Sequence, residues 1–403
     1  MIYRTMPYSD HRLSILGYGC MRFPRKGATV DFARTEKQLL SALDQGLNFL
    51  DTAYIYGNSE AILGKILAKN QRRGDVYLAT KLPAFLIREN SGLQATLNTQ
   101  LERLKTDYID YYLMHNLTSF ADWQRLKNLG VLEFIEREKA QGRLHKIGFS
   151  FHGNLQAFKE LVADYPWDFC MIQYNYLDEH YQAGREGLLY AAAKGLGIIV
   201  MEPLRGGTLG AKMPPSIKSV FTTSGGTSFN PAELALRWLW QQPQIQVVLS
   251  GMNEEEHIAN NIRLAASVSE QTELTPAEEA ALRKAKQLWQ EKIKAPCTAC
   301  AYCLPCPYNV DIPTCLAYYN DYSAQKSIAA KAHYFLATEG AINGQPTKAS
   351  LCQICGICEK NCPQEINISH HLHNTAAIME KGLQRPVLKL ACKFMQRKNK
   401  PNN

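Results

Sequence analysis

Through roughly the first 270 residues, short runs rich in β-branched and aromatic side chains alternate with longer stretches that carry the helical apolar spacing. Strands are predicted over 13–19, 48–51, 76–80, 108–114, 146–150, 169–174, 197–202 and 247–251, eight in all. Gly46, Gly142 and Gly195 stand where helix C-terminal caps belong, and Pro231 opens a further helix at its first turn. Repeated strand–helix pairs close as a parallel barrel or open as a doubly wound sheet. A doubly wound dinucleotide fold wants G-x-G-x-x-G after its first strand. Leu16-Gly17-Tyr18-Gly19 has two glycines, but no third and no helix start at the required offset. The pattern therefore predicts an α/β fold, a (β/α)8 barrel.

The alternation stops near Lys294-Ala295-Pro296. The expected division is a barrel over 1–290, a small, mainly helical domain over 291–380 and a basic segment over 381–403. A helical pattern runs through 323–338 within the small domain. Net charge is +8, and its location matters more than its size: from Lys381 onward there are seven basic residues and no acid. Lys381, Arg385, Lys389, Lys393 and Arg397 recur every fourth residue, which reads as a basic amphipathic helix after Pro386. Such a helix suits an acidic electron carrier, an anionic membrane surface in peripheral contact, or packing on its own protein. Elsewhere charge is balanced, and nothing points to nucleic acid. No uncharged apolar run reaches the length of about 18 residues that a membrane span needs. With no apolar leader segment after Met1, a reducing cytoplasm is the expected compartment.

Eight cysteines change the picture of the small domain. Cys297, Cys300, Cys303 and Cys306 precede Pro307 as C-x2-C-x2-C-x2-C-P, and Cys352, Cys355, Cys358 and Cys362 precede Pro363 as C-x2-C-x2-C-x3-C-P. The second run has the bacterial two-cluster ferredoxin spacing, in which three close thiolates hold one cubane and the fourth reaches the other. The expected sets are Cys297, Cys300, Cys303 and Cys362 on one [4Fe-4S] cluster, and Cys352, Cys355, Cys358 and Cys306 on the second. The first run is one residue shorter before its last cysteine, so the reach of Cys306 is the step that spacing leaves open. Zinc is the alternative, but two triplets each followed by Cys-Pro leave thiols over in a four-cysteine zinc scheme. The long insert between the runs resembles the helical two-cluster ferredoxins. Asp311-Ile312-Pro313 and Ile366-Asn367-Ile368 follow the two Cys-Pro pairs in parallel positions, as a duplicated unit would. Cys20, Cys170, Cys315 and Cys392, outside the runs, read as small buried hydrophobes.

In a barrel of this kind, chemistry sits at the C-terminal ends of the strands. Asp51 and Tyr56 follow the second predicted strand, Lys81 the third and His115 the fourth. Together they make a proton donor with its tuning groups. Tyrosine is a weak acid, and a neighbouring ammonium is expected to lower its pKa. Asp51 would hold Lys81 charged, and His115 would orient a carbonyl oxygen. Taken singly, each residue has an ordinary structural role. Three successive strand ends together point to a site.

Asp51-Thr52-Ala53 with Tyr56-Gly57 and Ser59-Glu60, then Lys81, then His115, resemble the catalytic tetrad of the aldo/keto reductases. The likeness extends over roughly residues 1–290, and the whole chain is similar to members of that superfamily with a C-terminal two-cluster ferredoxin-type domain. The resemblance implies an oxidoreductase with Tyr56 as general acid/base, reducing a small carbonyl or oxidising an alcohol with NADP or NAD. It also implies cofactor-binding positions. Gln173 matches the residue that binds the nicotinamide carboxamide; Ser150 matches as well, but Phe151-His152 replaces the asparagine that usually follows. Met201 stands where a stacking tyrosine is common, and Pro203, Leu204 and Gly206 follow it. Ser250, Gly251, Met252 and Asn253, with His257 and Asn261 beyond, resemble the segment that grips the adenosine phosphates. Met252 takes the place of the usual basic residue for a 2′-phosphate, which leaves NADP and NAD both open. A Gly/Pro/Ser-rich stretch over 205–230 is long enough to fold as a lid.

A hydride carries two electrons and a cubane passes one, so direct exchange between them needs an intermediary, usually a flavin. No flavin signature is visible. One reading has the clusters relay electrons to or from a carrier of ferredoxin or flavodoxin type. The other makes the clusters structural, partner-docking or oxygen-sensing, with barrel activity independent of them or absent.

Overall fold

The computed structural model describes residues 1–403 apart from 28, 211–212, 214, 223–227, 268–272, 298–302, 327, 340–344, 363–365 and 382–403. Cys300, Cys392, parts of the 205–230 stretch and the basic segment after Lys381 therefore lie outside the described residues. The chain forms two compact units, residues 1–213 with 220–282, and residues 214–219 with 283–403.

In the first unit every predicted strand is present: β1 Leu16–Gly19, β2 Phe49–Asp51, β3 Tyr77–Leu82, β4 Ile109–Leu117, β5 Leu144–Phe151, β6 Phe169–Gln173, β7 Gly197–Met201 and β8 Ile245–Ser250. They pair in parallel and in sequence order, and β8 returns to β1 to close the barrel. The strands are apolar on both faces because one face meets the ring of helices and the other fills the barrel. Tyr111 occupies the interior, edge-on to Phe49 and Phe169 at 5.2 and 5.1 Å. Room for rings of that size comes from glycine. A Cβ on Gly17 would stand 2.7 Å from Leu249, and one on Gly148 would stand 2.5 Å from the Phe169 carbonyl. A hairpin of Tyr3–Thr5 with Arg12–Ser14 precedes β1, and its Leu13, with the adjacent Met6, joins the interior core. Gly46, Gly142 and Gly195 carry φ of 90°, 70° and 82°, the left-handed conformation expected after a helix end. Asn230 caps the helix Pro231–Trp240, whose proline sits in the first turn.

The second unit is mainly helical. The helical pattern over 323–338 resolves into two helices, Ile312–Gln325 and Ile328–Thr338, because Lys326 turns left-handed at φ 52° and ends the first. Its core gathers Val310, Ile312, Leu316, Tyr334, Phe335, Ile368 and Leu372. Among the described residues, no helix is long and apolar enough to cross a membrane.

Helix Ser59–Lys69 packs so closely on helix Asn90–Leu104 that a Cβ on Gly64 would fall 2.3 Å from the Arg103 carbonyl oxygen. Backbone cannot yield there as a side chain would. Gly64→Ala is expected to destabilise the barrel by about 1–3 kcal/mol, whereas Gly74→Ala, which meets no atom within 4 Å, should stay within about 0.5 kcal/mol. Thermal unfolding of the two variants compares them directly.

Candidate functional site

Parallel strands present their C-terminal ends at one rim, where Asp51, Lys81 and His115 at the ends of β2, β3 and β4 and Tyr56 just beyond β2 come together. The Lys81 ammonium lies 2.6 and 2.7 Å from the two Asp51 carboxylate oxygens and donates to the Thr52 carbonyl at 2.7 Å. It stands 5.0 Å from the centre of the Tyr56 ring. The rings of Tyr56 and His115 meet edge to face at 6.0 Å, and Phe85 flanks His115 at 6.5 Å. Lys81 and Asp51 are almost wholly buried, with 2% and 6% of their side-chain surfaces exposed. A lysine so placed needs its carboxylate.

Burial sets the proton affinities. It works against charge on Lys81, but Asp51 and then Tyr56 outweigh it, and the lysine pKa is raised. Burial pushes Asp51 up against the pull of Lys81. Tyr56 also lies above the ordinary tyrosine range, first through burial; Lys81 opposes this, while Asp51 and Glu202 add to it. This corrects the expectation of a lowered value. Lys81 acts in the expected direction, but it is paired, and a buried phenolate costs more than the shared ammonium returns. His115 is driven down to about 2 by burial, helped by Lys81 and His152. The imidazole is therefore neutral, and its Nδ1 is buried with no hydrogen-bond partner among the described residues.

Around the rim, the Ser150 hydroxyl oxygen accepts from the Asn116 amide at 2.8 Å, and Gln173 Nε2 donates to Asp178 at 3.0 Å. Met201 sits above the interior core. Glu202, Arg205 and Gly206 take positive φ of 53°, 44° and 62°, so the chain at Pro203 and Leu204 turns sharply. Beyond β8, Asn261 donates to the Ser250 hydroxyl at 3.2 Å, and Gln38 donates to the Asn253 carbonyl at 3.3 Å. Gly251 and His257 are exposed. Met252 is taken up by the core, where its carbonyl accepts from Tyr18 at 2.6 Å. Helix Glu255–Ser267 starts with Glu255 and Glu256 in its first turn. Arg34 pairs with Glu254 and Glu255 at 2.6 and 2.5 Å.

Sequence reasoning passed over Asp178, Arg205 and Glu202. The signal for Asp178 was present. Asn175 and Asp178 directly after a strand have the spacing of an Asx turn, and the Asn175 side chain accepts from the Leu177 and Asp178 amides.

In the second unit, Cys306, Cys352, Cys355 and Cys358 line one cavity, joined by Cys303. Cys303 and Cys306 of the first run thus both lie beside the second run, and the cavity does not by itself divide the thiols into the two expected sets. The apolar walls include Ile312, Ile357 and Leu372. Burial, then Glu359, Cys352 and Cys355, push the Cys358 thiol up to about 11. Crowded thiols in an apolar pocket suit a group whose positive charge takes up the thiolates. Helix Ile312–Gln325 starts six residues after Cys306 under an Asp311 cap, and helix Ile368–Met379 starts six residues after Cys362 under an Asn367 cap. Before Cys352, Tyr334 and Glu380 pin the chain: Ala349 N–H donates to the Tyr334 hydroxyl, and Ser350 N–H and Tyr334 both donate to Glu380. Cys20, Cys170 and Cys315 are buried as expected.

The sequence profile of the aldo/keto reductase family matches residues 15–281. The chain belongs to that family. Residues 296–367 match a 4Fe-4S dicluster domain, so this aldo/keto reductase is an oxidoreductase with a dicluster domain appended. An uncharacterised oxidoreductase from Bacillus subtilis is 30% identical over 233 residues, 53% of this chain and 69% of its own. An aldo-keto reductase from Mycolicibacterium vanbaalenii is 28% identical over 268 residues, 63% of this chain and 83% of its own. The holo form of an aldo-keto reductase from Bacillus halodurans superposes with a TM-score of 0.58 at 23% identity, covering 71% of this chain and 96% of that one, a likeness of fold.

Two outcomes are expected of this site. Nitrogen NMR of His115 should show a neutral imidazole across the range near pH 5–8 where an ordinary histidine titrates. Asp51→Asn leaves the Lys81 ammonium buried and unpaired, and should cost about 3–5 kcal/mol in denaturant unfolding.

Proposed function

We propose that the barrel reduces a small carbonyl compound to an alcohol, or runs the reverse reaction, with a nicotinamide cofactor and with Tyr56 as the proton donor. The convergence of Tyr56, Lys81, Asp51 and His115 on one rim carries this reading. A bound nicotinamide supplies the hydride. Tyr56 then gives its phenolic proton to the carbonyl oxygen as the C–H bond forms, so that hydride and proton together make the alcohol. A tyrosine held protonated by burial suits that direction. Lys81, kept charged by Asp51, stabilises the phenolate left behind. The neutral His115 imidazole donates a hydrogen bond to the same oxygen and fixes which face of the carbonyl is presented.

The rim supports a nicotinamide carboxamide. With its oxygen accepting from Asn116, the Ser150 hydroxyl retains a proton to donate to the carboxamide oxygen. With its nitrogen bound to Asp178, Gln173 offers an oxygen to the carboxamide NH2. The adenosine end lies toward Ser250, Gly251, Asn253, His257 and Asn261, beside the carboxylates of Glu254, Glu255 and Glu256. Arg34 offsets one of these three charges, and the negative balance that remains disfavours a 2′-phosphate, so we assign NADH rather than NADPH.

Two [4Fe-4S] clusters are assigned to Cys297, Cys300, Cys303 and Cys362, and to Cys352, Cys355, Cys358 and Cys306. When bound, they supply single-electron transfer to or from an external carrier of ferredoxin or flavodoxin type. The spacing of two cysteine triplets, each closed by Cys-Pro, and the dicluster match over residues 296–367 favour this set over zinc.

Tyr56→Phe is expected to lower the catalytic rate by about 10²–10⁴-fold with cofactor affinity unchanged; undiminished turnover would remove Tyr56 from the mechanism. The reduction needs the protonated tyrosine, whose pKa is raised, so activity should persist through the ordinary tyrosine range and fall only as pH rises beyond it. NADH should bind more tightly than NADPH by roughly five- to tenfold, as for about 1 kcal/mol of charge repulsion at an exposed site. Anaerobic titration of the visible cluster band with NADH tests the relay. Bleaching supports shared electrons and exposes any flavin, while bleaching by dithionite alone assigns the clusters to structure or docking.

A further inference from the structure

One carboxylate oxygen at the exit of β6 receives two amide donors and an ion pair. Asp178 Oδ2 accepts from Asn175 Nδ2 at 2.9 Å and from Gln173 Nε2 at 3.0 Å, and lies 3.3 Å from Arg205 Nε. Asp178 is only 9% exposed, and Asn175 is fully buried. Asn175 fixes the turn from within, since its Oδ1 accepts from the Asp178 and Leu177 amides while its Nδ2 also reaches the Glu202 carbonyl at 3.2 Å. The carboxylate is thus held in place by its own turn and by the segment after β7.

A glutamine amide has a donor end and an acceptor end of nearly equal size, and a half-buried one can present either. An ionised carboxylate has acceptors only. Beside Asp178, therefore, Gln173 must turn its NH2 group toward Oδ2 and keep its oxygen for whatever occupies the rim. We propose that Asp178 is a positioning residue that sets the polarity of Gln173, so that the site requires an NH2 group on the nicotinamide carboxamide. Arg205, at the root of the 205–230 stretch, holds the same carboxylate from the other side. This inference rests on the nicotinamide reading above.

The test compares NAD+ with its 3-acetylpyridine analogue, which keeps the ring carbonyl but carries a methyl in place of NH2. Equilibrium binding by calorimetry, on the full-length protein purified anaerobically, avoids the different redox potentials of the two dinucleotides. The wild type should prefer NAD+ by about tenfold, the loss expected when the Gln173 oxygen faces a methyl group. Asp178→Ala frees the amide to rotate, and the preference should fall to about two- to threefold. Asp178→Asn, nearly isosteric and able to present either end, should fall between, and it decides the matter if the alanine variant does not fold. A purely structural role would weaken both ligands equally and leave the ratio at its wild-type value, which overturns the proposal. A wild type that binds NAD+ without discriminating against the analogue overturns it as well. A wild type that binds neither of these dinucleotides nor NADP+ rejects the nicotinamide reading itself, and this inference with it.

Discussion

The ion pair of Lys81 with Asp51 is the constraint on which the chemistry proposed for the barrel depends. Both groups are stripped of water, and each is tolerable only because the other is within 2.7 Å. Desolvation and mutual attraction nearly cancel in such a pair, so its worth lies in position more than in stability. The ammonium is fixed 5.0 Å from the Tyr56 ring, where under the proposed mechanism it would meet the phenolate left by proton transfer, away from bulk solvent. A free surface lysine would move and be screened. The same burial that threatens the pair keeps Tyr56 protonated and His115 neutral, which is the combination a proton donor and a carbonyl-orienting group require.

The rest of the fold holds that pair in place. β2 and β3 are adjacent and in register, with Asp51 opposite Ala79, so closure of the barrel sets the approach of carboxylate and ammonium. Behind them a second buried carboxylate, Glu60, accepts from Thr80 and Gln100 and pairs with Arg103. It ties the helix after β2 to the helix after β3. The cluster unit follows a comparable logic with different parts. Its small core is pinned by Asx-capped helices six residues beyond each Cys-Pro pair and by the Tyr334–Glu380 contact before the second run. Both units use buried hydrogen bonds to aim short loops at a candidate site.

Much of this was legible in the residues. The eight strands, the capping glycines and the N-terminal proline of helix Pro231–Trp240 follow from local sterics and from the periodicity of apolar positions. Those rules are short-range and survive in any context. The cysteine spacing is equally local, since a cubane demands thiolates at fixed reach. Less legible was the break at Lys326, a left-handed residue that lacks the glycine usually found at a helix end. The hub at Asp178 was written as an Asx turn, but its partner Arg205 lies 27 residues away and only the barrel brings it close.

By itself the sequence determined the class of fold, the order of its elements and the residue types that meet at the strand ends, because each of these is encoded within a few neighbouring positions. The tertiary structure alone decided the proton affinities. The direction of the Tyr56 shift is a balance between burial, an ammonium and two carboxylates drawn from three strand ends, and no local pattern reports how much water remains. It also decided that Met252 belongs to the core, and that Cys303 and Cys306 share a cavity with Cys352, Cys355 and Cys358. Long-range closure sets these distances, and electrostatics and coordination depend on distance.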